Sequence, residues 1–272
     1  MTIEALTNSV LISVTSKDGT PIGLWKTGRG PSLLVVHGTG ADHSAWDRVV
    51  PLLVDSFTIY AMDRRGRGAS GDALEYALDR EVEDVVAAVE TLPRPVYVYG
   101  HSSGGCCVAE AAVRSQRIDR LVLYEGGPKP AGLRLSPDDF IARLQQQIET
   151  GQREEALEVF MLNAAGVTRQ ELDVLRNHPS WRARLAAAHT IPRELRAINE
   201  YSADPEQVRT IGIAVLLVLG EKTDPQRREM FAQMTELFSN ARITVLPGQR
   251  HAAHQTAPNL LAQSIRDFLL DN

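Results

Sequence analysis

The chain has 272 residues, 43% of them hydrophobic and 23% charged, with a formal net charge of -5. This is an ordinary globular composition, large enough for one α/β domain carrying an insertion. It excludes a basic surface for nucleic acid or an anionic membrane, and no apolar run approaches the roughly 20 residues of a bilayer span.

The first residues, Met1-Thr2-Ile3-Glu4, lack the basic and apolar stretches of a secretory signal, so a cytoplasmic location is expected. Strands are predicted at 10–15 and 22–26, turned through Asp18-Gly19. A last strand is predicted at 242–246, and the apolar runs at 33–36, 57–62, 96–99, 121–124 and 213–219 are continuous rather than alternating. Such runs suit strands buried on both faces of a parallel sheet. Between them, Val82, Val85, Val86 and Val89 follow helical spacing, as do Leu261, Ile265, Phe268 and Leu269 after Pro258. Alternating strands and helices predict a doubly wound, mostly parallel sheet.

The alternation breaks between 131 and 204, where every pattern is helical. Ser136-Pro137-Asp138-Asp139 reads as a helix start, and Thr168-Arg169-Gln170-Glu171 as a capping box. The expected organisation is a core of 1–130 and 205–272 with a helical lid, 131–204, inserted after strand six. Its Phe140, Phe160, Met161, Trp181 and Leu185 are candidates for the wall of a substrate pocket, or for the contact between lid and body.

Chemistry concentrates at Gly100-His101-Ser102-Ser103-Gly104. This segment follows an apolar run and precedes the small-residue stretch Gly105-Cys106-Cys107-Val108-Ala109. Strand, Gly-x-Ser-x-Gly, helix is the order of a nucleophile elbow, a sharp turn that lifts a serine hydroxyl clear of the sheet. The two adjacent cysteines are expected to be packing residues behind it. A serine nucleophile needs a base, donors for a developing oxyanion and a carboxylate to orient the base. His37-Gly38-Thr39-Gly40 follows a predicted strand, so the amides of Thr39 and Ser103 are the candidate oxyanion donors. His37 itself is expected to brace that loop. Among seven histidines, His251 lies after the last strand on a loop at the sheet's carboxyl edge and is the candidate base. His254 is the reserve, and His101 is assigned to packing.

Four segments carry a resemblance to a known family: His37-Gly38-Thr39-Gly40, Asp63-Arg64-Arg65-Gly66-Arg67-Gly68-Ala69-Ser70, the Ser102 elbow, and Gly248-Gln249-Arg250-His251 with Pro258 downstream. Over essentially its whole length the chain resembles the α/β-hydrolase superfamily. The resemblance assigns the second segment to shaping the rim of the site. It usually places the orienting acid just after strand seven, here Asp224 with Glu221 nearby. In a minority of members the acid ends strand six, here Glu125, a carboxylate leaving a buried apolar run. A salt bridge to an arginine of the helical insertion is the alternative role for Glu125, and a helix N-cap is the alternative for Asp224.

The resemblance implies a serine hydrolase cleaving an ester, lactone or related acyl bond of a small molecule through an acyl-enzyme, with no metal or organic cofactor. Carbon–carbon bond hydrolases, hydroxynitrile lyases and haloperoxidase-like enzymes share the same three side chains. A ligand-binding module of this fold with little turnover is the non-enzymatic alternative. The expected partner is a small-molecule substrate, without nucleic acid or membrane, and the oligomeric state is left open.

Overall fold

The computed structural model describes residues 9–271; the Met1-Thr2-Ile3-Glu4 stretch lies outside the described residues. Eight strands form one sheet: β1 Val10–Thr15, β2 Pro21–Gly28, β3 Ser32–Val36, β4 Thr58–Met62, β5 Val96–His101, β6 Ile118–Tyr124, β7 Ala214–Gly220 and β8 Ala241–Leu246. Their spatial order is β1-β2-β4-β3-β5-β6-β7-β8. The first two ladders are antiparallel and the rest parallel. The expected doubly wound sheet is therefore present.

Continuous apolar runs become two cores because successive strand side chains point to opposite faces. Leu34, Val36, Val98, Leu121, Leu123, Val215 and Leu217 enter one layer, against Val82, Val85 and Val89 of helix α1 (Leu78–Thr91) and Cys107 and Val108 of α2 (Ser103–Arg114). Leu33, Val35, Tyr99, Val122, Tyr124, Leu216 and Val218 enter the other, against Leu261, Ile265 and Phe268 of the C-terminal helix Pro258–Leu270. Both cysteines are buried and free, as packing residues would be.

Between β6 and β7 the described chain is helical: α3 Asp138–Glu149, α4 Arg153–Asn163, α5 Arg169–Arg176, α6 Ser180–Ala187, α7 Ile191–Glu200 and α8 Pro205–Arg209. These helices share a core of their own, including Ile141, Leu157, Phe160, Leu172, Trp181 and Ile191. The capping box at Thr168 and Glu171 forms. Ser136, by contrast, does not cap α3. Its N–H donates to Asn199 Oδ1 at 3.2 Å and its carbonyl accepts from Asn199 Nδ2 at 2.6 Å, so it clasps α7 while Pro137 leads into the helix.

The Arg64–Arg67 segment also differs from expectation. These arginines do not lie on a rim: Arg64, Arg65 and Arg67 are all buried. Arg64 Nε pairs with Glu81 Oε2 at 2.5 Å, its Nη1 with Glu194 Oε2 at 3.0 Å, and Arg67 bridges the same two carboxylates. Glu81 lies on α1 and Glu194 on α7, so this buried charge cluster clamps the helical insertion to the sheet layer. Such guanidiniums must be matched by carboxylates, since an unpaired buried charge is costly.

Candidate active site

β5 ends at His101, and Ser102 turns directly into α2 with φ 55° and ψ -126°. A non-glycine residue with positive φ is strained and persists only where its surroundings over-determine it. Here they do: Ser102 N–H donates to Tyr124 O at 3.0 Å and Gly105 N–H to Ser102 O at 2.8 Å. The neighbouring glycines allow the approach. A Cβ on Gly104 would sit 2.5 Å from His37 O, and one on Gly126 1.8 Å from Ser102 O.

Ser103 is the first residue of α2, so its N–H has no intrahelical acceptor. Thr39 stands beside it, donating from Oγ1 to Ser103 Oγ at 3.0 Å, and Arg64 Nη1 donates to the same oxygen at 2.9 Å. Behind them His37 is fully buried, with Nε2 accepting from Arg64 N–H at 3.2 Å and Nδ1 directed to Gly38 O at 2.8 Å. That pairing holds one neutral tautomer and fixes the loop.

Glu125 follows β6, also with positive φ, 47°. Its Oε2 lies 2.9 Å from His251 Nδ1, while Oε1 accepts from Gly220 N–H at 2.9 Å and from the Thr223 hydroxyl. Burial raises the Glu125 carboxyl, but His251, Arg227 and Thr223 outweigh it and bring it down to about 2. His251 moves the other way: burial and Arg227 lower it, and Glu125 only partly opposes them. A neutral imidazole beside an ionised carboxylate results, which is the resting state a general base requires.

Asp224 does not reach His251. It caps the helix Pro225–Thr235, α9, with Oδ1 accepting from Arg227 N–H at 2.9 Å, and its side chain is half exposed. Glu221 accepts from Gly248 N–H at 2.7 Å, on the outside of the same loop. The arginine beside Glu125 belongs to α9 and not to the helical insertion: Arg227 Nη1 is 3.2 Å from Glu125 Oε2.

Three positioning contacts have no signal in the sequence. His101 Nε2 lies 2.9 Å from His251 O, and its ring packs 4.6 Å from those of both His251 and His254. Tyr124 OH donates to Arg250 O and accepts from Ala253 N–H, bracketing His251. Arg227 is the third. His254 is buried without a partner for Nδ1, so no carboxylate orients it.

Ser102, Thr39, Ser103, Glu125 and His251 open onto one cavity of about 220 Å³. Among the described residues no hydrogen bond joins Ser102 Oγ to His251, a separation common before substrate binds. Phe160 and Met161 line this cavity. Phe140, Trp181 and Leu185 do not, which corrects the expectation for them. Ile141 and Leu144 are the core positions of α3, leaving Phe140 half-buried at its margin; Trp181 is sealed in the insertion's core and donates from Nε1 to Glu154 at 3.3 Å.

One acidic cluster stands apart, formed by Asp42, His43 and Asp63. Its acceptors are already engaged. Asp63 takes the Trp25 indole N–H at 2.8 Å and the His43 and Ala69 N–H groups, and Asp42 takes Ser44 N–H and Oγ.

Residues 33–264 match the model of the alpha/beta hydrolase family. The chain belongs to that family. An alpha/beta hydrolase from Sphaerobacter thermophilus is similar in structure, with TM-score 0.81 and 29% identity over 95% of this chain and 100% of the other. The carboxylesterase CesB from Bacillus subtilis shares the alpha/beta hydrolase fold, at TM-score 0.77 and 19% identity over 99% and 95% of the two chains. In sequence, the pimeloyl-[acyl-carrier protein] methyl ester esterase of Aeromonas hydrophila is 23% identical over 91% of this chain and 99% of its own. A Mycobacterium bovis protein named probable oxidoreductase EphD is 33% identical over 43% of this chain; this alpha/beta hydrolase chain spans only 21% of that relative's length. Among the described residues no helix is long and apolar enough to cross a membrane.

Proposed function

We propose that this hydrolase cleaves an ester or related acyl bond of a small molecule through an acyl-enzyme on Ser102. The observation that carries the reading is one cavity shared by a positive-φ serine at a helix start and a neutral histidine whose Nδ1 lies 2.9 Å from an ionised carboxylate. Similarity to esterases agrees with it.

In this reading Glu125 accepts a hydrogen bond from Nδ1–H of His251 and stays ionised, leaving Nε2 as the base. Ser102 Oγ attacks the acyl carbon as Nε2 takes its proton. The carbonyl oxygen becomes an anion held by the amides of Thr39 and Ser103, at the positive end of α2. His251 then returns the proton to the departing alcohol, and water releases the acyl group by the same relay. No metal or organic cofactor takes part. The helices of 131–204 act as a lid over the cavity. Its volume is below the roughly 300–1,000 Å³ typical of drug-sized ligands, so a compact substrate fits.

Labelling with a fluorophosphonate followed by peptide mapping tests the reading. An adduct on Ser102, absent in Ser102→Ala, is expected. An active enzyme that stays unlabelled at Ser102 would overturn it.

A further inference from the structure

Four arginines are buried in the described chain: Arg64, Arg65, Arg67 and Arg184. Three of them are matched by carboxylates, Arg64 and Arg67 by Glu81 and Glu194, and Arg65 by Asp18 and Asp84. Arg184 is not. It is 6% exposed and forms no ion pair among the described residues. Nη1 makes one long bond, to Gly40 O at 3.3 Å, and Nε is buried without a partner. Burial disfavours its charge, and Asp42 only partly relieves that. The guanidinium nonetheless stays protonated, because arginine does not lose its proton in proteins.

Arg184 lines the cavity that holds Ser102. Two further cations line it, Lys129 and Arg227, against only Glu125 and Asp224. Glu125 is engaged by His251 and Arg227, and Asp224 by its helix. Lys129 Nζ donates to Leu133 O at 2.7 Å. The cavity is therefore lined by more cations than carboxylates, and of those three cations Arg184 is the one with a buried nitrogen that has no hydrogen-bond partner among the described residues. Gly40, its one acceptor, directly follows Thr39.

We propose that Arg184 receives a free carboxylate on the substrate, so that the enzyme's substrates are esters bearing a second, ionised carboxyl group. A planar fork beside a carboxylate forms two parallel charge-assisted bonds, which would satisfy the stranded Nε. The proposal rests on the serine-hydrolase reading for turnover, but not for binding.

Two substrate pairs test it. Mono-4-nitrophenyl glutarate against 4-nitrophenyl butyrate puts the carboxylate on the acyl side. 3-Acetoxybenzoate against phenyl acetate puts it on the alcohol side. The wild type should favour the charged member of one pair in kcat/KM, and the favoured pair tells which side faces Arg184. Arg184→Gln should lower that charged-to-neutral ratio by about 10- to 100-fold, and Arg184→Lys by less. An unchanged ratio in both variants, or a ratio moved by Lys129→Gln and not by Arg184→Gln, overturns the proposal. Should Arg184→Gln fail to fold, Arg184→Lys carries the comparison. Calorimetric binding of glutarate to Ser102→Ala is the separate arm. Binding lost in Ser102→Ala/Arg184→Gln and weakened in Ser102→Ala/Arg184→Lys supports the carboxylate site even if no ester is turned over, and glutarate that does not bind Ser102→Ala overturns it even if neutral esters are cleaved.

Discussion

Arg227 places Nη1 2.7 Å from Nδ1 of His251, the same nitrogen that lies 2.9 Å from Glu125 Oε2. A guanidinium only donates, so Nδ1 cannot accept from Arg227 while donating to Glu125. The ionised carboxylate favours the Nδ1–H form, and the guanidinium then opposes any second proton on the ring.

Removing that cation should raise the His251 pKa. The base works unprotonated, so kcat/KM climbs with pH through this pKa. In Arg227→Met the acid limb should move to higher pH by on the order of half a unit or more, with the largest activity loss below pH 6. A pH profile of kcat/KM measures it, and a limb that stays or moves down would show that Arg227 does not act on His251.

Glu125→Gln should reduce kcat by about 10²- to 10⁴-fold, because a neutral amide neither selects the Nδ1–H tautomer nor stabilises the imidazolium. Asp224→Asn should cost less than about 10-fold, since its carboxylate serves a helix start that asparagine also caps. Steady-state kinetics of the two variants decide between them; the reverse ranking would make Asp224 the orienting acid.

The same carboxyl links stability to pH. Its folded-state pKa is depressed from 4.5 to about 2, so it stabilises the fold above about 4.5 and that contribution is lost as pH falls toward 2. Denaturant titrations of wild type and Glu125→Gln should therefore diverge less at pH 3 than at pH 6. An equal difference at both would contradict the depressed value.

Glu194→Gln should destabilise the protein by roughly 3–5 kcal/mol, because Arg64 and Arg67 remain buried with one fewer carboxylate. Chemical denaturation reads this directly. A loss under about 1 kcal/mol would mean that Arg64 and Arg67 do not need Glu194 to stay buried.

Gly126→Ala should abolish fluorophosphonate labelling of Ser102 or prevent folding, because its Cβ would meet backbone oxygen at 1.8 Å rather than a side chain that can turn aside. Gly132→Ala, whose Cβ meets nothing within 4 Å, should cost only the roughly 1–2 kcal/mol of a positive-φ residue. Melting curves and labelling of the pair separate steric blockage from backbone strain, and equal effects would refute the distinction.

Much of the architecture is legible in the sequence. Runs such as Leu33 to Val36 and Val96 to Tyr99 announce strands covered on both faces, because no polar residue interrupts them. Gly-x-Ser-x-Gly between a strand and a helix marks the elbow, since glycine is demanded where the turn runs against its own helix at Gly100 and against the end of β3 at Gly104. The Thr168 capping box and the Asp224-Pro225 helix start are equally readable, being contacts between residues three positions apart.

Local pattern and short-range chemistry, then, carry the order of elements, the parallel sheet and the positions of Ser102 and His251, because each depends on neighbours in the chain. Whether Glu125 or Asp224 meets His251 depends instead on the β6–β7 register and the docking of α9, contacts spanning about a hundred residues. Arg227, the buried Arg64–Glu194 cluster, and the division of Phe160 from Phe140 and Trp181 have the same origin. A periodic pattern tells which side chains turn inward, but only packing tells which of several interiors receives them.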